Sequence, residues 1–314
     1  MSLVLIATAL MLQTGPLVGD GMAPSLGLPM IDRPTAPNRR RAVSEITARP
    51  ERIDDSNKLT HCRETADHDP DAAAEMATDW LSGAKDSQRA EAELCLGYAY
   101  SAQEAWPMAE QAFLAGRDAA GDNALNRARL GAMAASAAQA QEGGADRALA
   151  ALDKARVDAK AVNDPSLIVS IAVDRSRALV ALKRNDEAAA ALAEARTLGP
   201  DNGQAWLLSA TLSRRMNHLA DAQTQIQTAA KLTPLDPEVG LEAGVIAMLA
   251  GHEDAARKSW ESTVKTSPQS EAGHQAAAYL QQIGGTSGAN APSPSNATGA
   301  NAASSKPSPQ SSPG

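Results

Sequence analysis

Residues 231–240 read KLTPLDPEVG, with Pro234 and Pro237 three positions apart in a chain otherwise rich in alanine and helix formers. Proline inside a helix removes a hydrogen bond and clashes with the preceding turn, at about 3 kcal/mol or more. At the first helical position the missing N–H costs nothing, and an aspartate immediately before it caps the new helix. The stretch therefore reads as one helix stopping near Pro234 and another starting at Pro237 with Asp236 as its N-cap. Asp164–Pro165 and Ser267–Pro268 carry the same signal.

Working outward, Pro200, Pro234 and Pro268 recur at intervals of 34. Ala188, Ala222 and Ala256 keep that interval, as do Leu192, Ile226 and Trp260, and Ala195 with Ala229. A fixed period of this length marks a solenoid of helix–turn–helix units. Alanine and glycine belong where the two helices of a unit cross, because a larger group holds the backbones apart. The large apolar column fills the gap toward the next unit. Each unit alone exposes an apolar face, so burial is completed only by stacking.

Composition agrees. The 314 residues are 43% hydrophobic but only 3% aromatic, with a single Phe, so the core is built from small and aliphatic side chains. That suits close-packed helix pairs better than a sandwich of branched and aromatic strands. The formal net charge of −8 argues against a general nucleic-acid binder, which shows a basic footprint.

On these columns the chain resembles a tetratricopeptide repeat (TPR) protein. The unit 203–236 offers Trp206, Ala210, Ala222, Ile226, Ala229 and Pro234 in the matching places, and the unit 237–270 offers Ala243, Gly244, Ala256, Trp260 and Pro268. Upstream, Leu179, Ala188, Leu192, Ala195 and Pro200 mark a unit over about 165–202. Leu96, Gly97, Tyr100, Trp106, Ala109, Phe113 and Gly116 mark another over about 90–123. The unit between, 124–164, carries Leu130, Gly131, Ala148, Leu152 and Ala155 but is longer: Ala109 to Ala148 is 39 and Ala148 to Ala188 is 40. QEGGAD lengthens its inter-helix turn, and VDAKAVNDPS is expected to prolong both its second helix and the outgoing loop. The fold expected is all-α, a TPR superhelical solenoid of about five repeats over 90–285 with terminal capping helices.

Outside the repeats, residues 61–89 hold an N-terminal cap, with Ala73, Met76, Ala77, Trp80 and Leu81 on one face of a helix over about 70–82. A final helix is expected over 268–283, stopped by Gly284 and Gly285. Residues 21–60 read as a disordered linker and 286–314 as a disordered tail of Ser, Pro, Asn, Ala and Gly. The run Arg39–Arg41 is either solvated or in contact with anionic lipid, and the glycosylation tripeptide at Asn296 is a pattern only. Residues 1–20 contain the apolar run LVLIATALML, of signal-peptide length but without a preceding Lys or Arg. Export to the periplasm or the exterior is the reading adopted; the alternative is a buried N-terminal segment in a cytoplasmic protein. Cys62 and Cys95, 33 apart, form one disulfide in an exported chain or stand as two thiols in a reduced one.

Chemistry is sparse. His61, Cys62, Asp67, His68 and Asp69 are clustered in sequence, but paired zinc-ligand spacings are absent. His218 and His252 fall in inter-helix turns, and His274 occupies the large-residue column of the last helix. There is no phosphate loop, nucleophile elbow or His-Glu metal motif, so no enzyme, no metal and no cofactor are expected. The resemblance instead implies a concave groove lined by first helices, which takes a peptide or helix of a protein partner. Mapped onto this chain, the groove residues are Tyr98, Arg129, Val173, Arg177, Leu207, Thr211, Arg214, Arg215, Leu241, Val245 and Met248. Chaperone-binding members need Lys and Asn in that groove, whereas Leu207, Thr211, Leu241 and Val245 stand there. The four arginines Arg129, Arg177, Arg214 and Arg215 either pair with an apolar, acidic partner segment or are solvated or paired with nearby Asp and Glu of this chain. A non-catalytic scaffold in the cell envelope is the function expected; an accessory or regulatory subunit of an envelope enzyme or assembly machine is the alternative.

Overall fold

The computed structural model describes residues 55–289, and among them thirteen α-helices follow one another without a strand. The chain divides into two compact units, Met1–Thr233 and Pro234–Gly314. The first unit holds five hairpins. They are α1 (Asp55–Ala66) with α2 (Pro70–Gly83), α3 (Asp86–Ala102) with α4 (Trp106–Ala119), and α5 (Ala124–Gln139) with α6 (Ala145–Ala161). After them come α7 (Pro165–Ala181) with α8 (Asn185–Leu198), and α9 (Gly203–Arg215) with α10 (Leu219–Leu232). Each second helix packs on the first helix of the following hairpin, from α2 on α3 to α8 on α9, and α1 lies beside α3 as α5 lies beside α7. The second unit contains α11 (Pro237–Leu249), α12 (Glu253–Thr266) and α13 (Glu271–Ala289), with α13 against both of its neighbours.

The caps expected from sequence are in place at two of three sites. The Asp236 carboxylate accepts from the Glu238 N–H at 2.9 Å with Pro237 opening α11, and Asp164 accepts from the Leu167 N–H at 3.0 Å with Pro165 opening α7. Ser267–Pro268 does not open α13. Ser267 closes α12, and the cap falls to Ser270, whose hydroxyl accepts from the Gly273 N–H at 3.0 Å. At the other end α13 runs through Gly284 and Gly285 to Ala289. Glycine costs a helix only about 1 kcal/mol relative to alanine, so two of them are no obligatory stop.

One turn is reused inside the hairpins. Lys183, Asn217 and Gly251 stand 34 apart, and all have positive φ, of 60°, 63° and 81°. In the residue after each, the N–H closes a loop back to a carbonyl five positions earlier, Arg184 to Leu179, His218 to Ser213 and His252 to Ala247. This is the left-handed helix stop that glycine fills without strain; lysine at Lys183 adopts it at a cost of about 1 kcal/mol. His218 and His252 are N-cap residues of α10 and α12, as their place in the turns implied, but their side chains make no cap hydrogen bond. His274 is exposed on α13 and not in a packing column.

The long unit departs from the rest in its α5–α6 turn and in α6. The turn from α5 to α6 covers 140–144, whereas the turns from α3 to α4, α7 to α8, α9 to α10 and α11 to α12 take three residues; α6 has 17 residues where α4 and α8 have 14. The outgoing loop, expected to be long, is only 162–164. The extra residues continue the helix because KARVDAKA contains no breaker.

At the N-terminus the helices begin earlier than the linker reading allowed. Helix α1 starts at Asp55, and Cys62 sits within it, so the cap is a complete hairpin and not a single helix preceded by coil. Cys62 and Ala66 are buried with Ala73, Ala77, Cys95 and Ala99. A disulfide joins Cys62 to Cys95 with their Cα atoms 5.9 Å apart. Closing a loop of this length stabilises the fold by about 3–4 kcal/mol on the chain-entropy account. The bridge anchors a helix whose polar sequence gives it little apolar surface of its own.

Candidate partner-binding face

The site expected from sequence lies on the first helices, and each unit carries its own share. In the first unit α1 and α3 bring side chains together around Tyr98. Tyr98 of α3 is half-buried, edge-on to Phe113 with ring centroids 6.1 Å apart. Gly97 allows this, since a Cβ there would stand 2.3 Å from the Phe113 ring. The Arg63 guanidinium of α1 lies 5.3 Å from the centre of the Tyr98 ring. Burial pushes the Tyr98 hydroxyl above the usual phenol range, against the pull of Arg63 and then Arg129. Arg63 and Arg129 are both exposed, and no carboxylate among the described residues pairs with either.

Farther along the first unit the expected residues divide. Val173 and Leu207 are 3% and 6% exposed. Val173 packs with Val169, Ala172, Ala195 and Ala205, so these two serve the core and do not face a ligand. Arg177 is bound within its own helix, its Nη1 2.5 Å from the Asp174 carboxylate. Asp174 is itself buried, which pushes its carboxyl above the usual range against the attraction and hydrogen bond of Arg177. Arg177 is thus a compensating charge, the second of the two readings its sequence left open. Thr211 and Arg214 are half-buried and Arg215 is exposed at the end of α9.

In the second unit Leu241, Val245 and Met248 are half-buried and lean on the cluster of Ala247, Ala256, Trp260 and Ala276. Trp260 donates its indole N–H to the Leu241 carbonyl at 3.1 Å and lies against Tyr279, with centroids 5.0 Å apart. Gly244 admits the indole: a Cβ there would be 2.1 Å from Nε1. These residues belong to the packing of α11 on α12 and α13.

Sequence reasoning missed Arg63, because α1 has no apolar stripe to announce it. The signal was the cysteine spacing, which at 33 is nearly one repeat and so places Cys62 on a first helix one unit before Cys95. It also missed the stacking of Arg196 on Trp206, 4.9 Å from the ring centre, where the indole N–H donates to the Pro200 carbonyl at 2.8 Å. Cys62 is oxidised and His61, Asp67, His68 and Asp69 are exposed; among the described residues no three metal-ligating side chains come together. No described helix is long and apolar enough to cross a membrane, and the apolar run at 3–12 lies outside the described residues.

The architecture is that of a TPR solenoid. Several solved structures share it. PilW, described as a widely conserved type IV pilus biogenesis factor, is 18% identical with a TM-score of 0.56, over 73% of this chain and 97% of that one. The pilF protein of Pseudomonas aeruginosa is 13% identical with a TM-score of 0.55, over 72% and 99%. The assembly chaperone of RpL4, Acl4, is 14% identical with a TM-score of 0.55, over 76% and 99%. At these identities the likeness is one of fold. No protein-family model and no curated protein matches the sequence.

Proposed function

We propose that this chain is a non-catalytic scaffold of an oxidising compartment, which holds a segment of a partner protein along the first-helix face of its first unit. The observation that carries the reading is the grouping of Arg63, Tyr98 and Arg129: one exposed guanidinium over an aromatic ring and a second that pulls on its hydroxyl, with no carboxylate of the described chain to neutralise them. Arginine forks grip carboxylates, and an aromatic body gives an apolar residue somewhere to rest. The partner segment therefore mixes acidic and apolar residues. The Cys62–Cys95 bridge supports the compartment, since disulfides persist where thiols are not kept reduced.

The test is site-specific photo-crosslinking in the producing cell. A photoreactive residue at Arg129 is expected to give a discrete adduct that Arg63→Glu abolishes, while the same residue at Val157, exposed on α6, gives none. Equal adducts at both sites, or adducts indifferent to Arg63→Glu, reject the face. The compartment is checked separately by mass spectrometry of the isolated protein: an intact Met1 with two free thiols rejects it.

A further inference from the structure

A cleft of about 260 Å3 lies between α3 and α4, bounded by Glu93, Leu96 and Tyr100 on one side and Met108, Gln111 and Ala112 on the other. It is not part of the face described above. At 3.6 residues per turn, Tyr98 is roughly 140–200° around α3 from the three residues that line the cleft.

Glu93 makes the cleft unusual. Its side chain is only 8% exposed, and Gly116 lets α4 close on it, since a Cβ there would stand 3.1 Å from that of Glu93. Its charged neighbour among the described residues is Arg89, one turn back, 3.6 Å away and half-exposed. No hydrogen bond from a described residue reaches the carboxylate. Glu110, equally buried on α4, is treated differently. It takes the Arg147 Nε at 3.0 Å and the Gln141 amide at 2.7 Å. A carboxylate this little exposed, with one distant ion-pair partner and no hydrogen bond, is held at a cost, and a cation brought to it recovers part of that cost.

We infer that this cleft is a socket for one arginine or lysine side chain of a partner protein, its head against Glu93 and its aliphatic stem along Leu96, Tyr100 and Met108. The volume falls below the roughly 300–1,000 Å3 of small-molecule sites, which fits a single long side chain and not a cofactor. Long cationic residues lay their stems on apolar surface while the head seeks charge. Met108, 47% exposed at the rim, supplies that surface. The socket does not depend on the first-helix face binding anything.

The experiment titrates the full chain with the peptide acetyl-Leu-Ala-Arg-Ala-Leu-amide and with its counterpart carrying neutral citrulline for arginine. Binding is followed by calorimetry and by the Met108 methyl resonance. The arginine peptide is expected to bind at least about tenfold tighter. Glu93→Gln removes the preference, and so does Met108→Lys, which is outside the core and supplies a competing cation at the rim. A preference that survives Glu93→Gln, or equal or absent binding of both peptides that persists when Arg39, Arg40 and Arg41 are replaced by alanine, overturns the socket. A preference that appears only when Arg39, Arg40 and Arg41 are replaced by alanine assigns the socket to this chain's own basic run and overturns the partner.

Discussion

From α4 to α6 to α8 the second helices begin 39 and then 40 residues apart; from α8 to α10 to α12 they begin 34 apart. In the strict stretch one apolar column, Leu192, Ile226 and Trp260, recurs at that interval, each residue buried within its own unit. The long stretch carries the same column in Phe113 and Leu152, 3% and 0% exposed and each four residues after a buried alanine, but at the longer interval. Its hairpins are tied in addition by partly buried ionic groups. Asp158 of α6 receives Arg117 of α4 at 2.7 Å and Arg127 of α5 at 2.9 Å. Glu110 takes Arg147, and Glu194 of α8 takes Arg156 at 2.8 Å and Lys160 at 3.1 Å. In the long stretch, directional polar contacts are added to the apolar packing of α5 to α8.

The sharpest way to break the comparison is at Asp158. Removing one member of a buried ionic cluster strands the others, typically at 3–5 kcal/mol, whereas replacing the whole cluster by apolar residues is often neutral. Asp158→Ala is expected to lower stability by about 3–5 kcal/mol in urea unfolding. Asp158→Leu combined with Arg117→Met and Arg127→Met is expected to recover most of that loss. The cluster is not ideally satisfied, since the Arg117 Nε is buried without a partner in the structure, and this favours the recovery. If the triple variant is as unstable as Asp158→Ala, the ionic tie is not what spaces these hairpins.

In the strict stretch the equivalent weak point is steric. Alanine normally improves on glycine within a helix by roughly 0.5–1 kcal/mol. At Gly244 the added methyl meets the Trp260 indole, so Gly244→Ala is expected to cost about 1–3 kcal/mol instead. Gly97→Ala, against Phe113 and outside the strict stretch, is expected to behave alike, because the same small-against-large crossing is used there. A thermal midpoint that rises in either variant refutes the close helix crossing.

How much of this was visible in the sequence follows from the same contrast. Helix boundaries at Asp164–Pro165 and Asp236–Pro237, and the 34-residue columns, were legible because they are local or strictly periodic. The ionic ties join residues 31–41 apart on a face that the charges alone mark as solvated, so nothing local exposes them. Arg177 is the exception, since Asp174 three residues before it is a helical pairing distance that could have been weighed. Helix α1 and its Arg63 escaped because DSNKLTHCRETA has no apolar stripe, its burial being supplied by Cys62 and Ala66.

A smaller gain is available where the strict repeat tolerates the wrong residue. Lys183 shares the left-handed turn that Gly251 fills and holds φ at 60°. Lys183→Gly is expected to raise stability by about 0.5–1 kcal/mol, whereas Gly251→Lys lowers it by a similar amount. Opposite shifts in denaturant midpoint establish that the two turns are equivalent; shifts of one sign deny it.

The smallest effect concerns Glu93 of α3, whose charge has Arg89 alone beside it among the described residues. Burial holds the Glu93 carboxyl above the usual carboxylate range, against the attraction of Arg89. The folded protein therefore keeps this proton at a pH where the unfolded chain, titrating near about 4.3, has lost it. Wild-type stability from this group accordingly rises as pH falls from neutral through the folded-state range toward the unfolded value. Glutamine has no such dependence. At neutral pH Glu93→Gln is expected to melt slightly above wild type, with the difference closing on acidification. Glu194 supplies the opposite sign: burial raises its carboxyl, but the hydrogen bonds from Arg156 and Lys160 bring it below the usual range. Its contribution is lost as pH falls, so Glu194→Gln narrows its deficit on acidification while Glu93→Gln narrows its advantage. Parallel pH profiles for the two variants contradict the distinction between an ionic tie and a stranded charge.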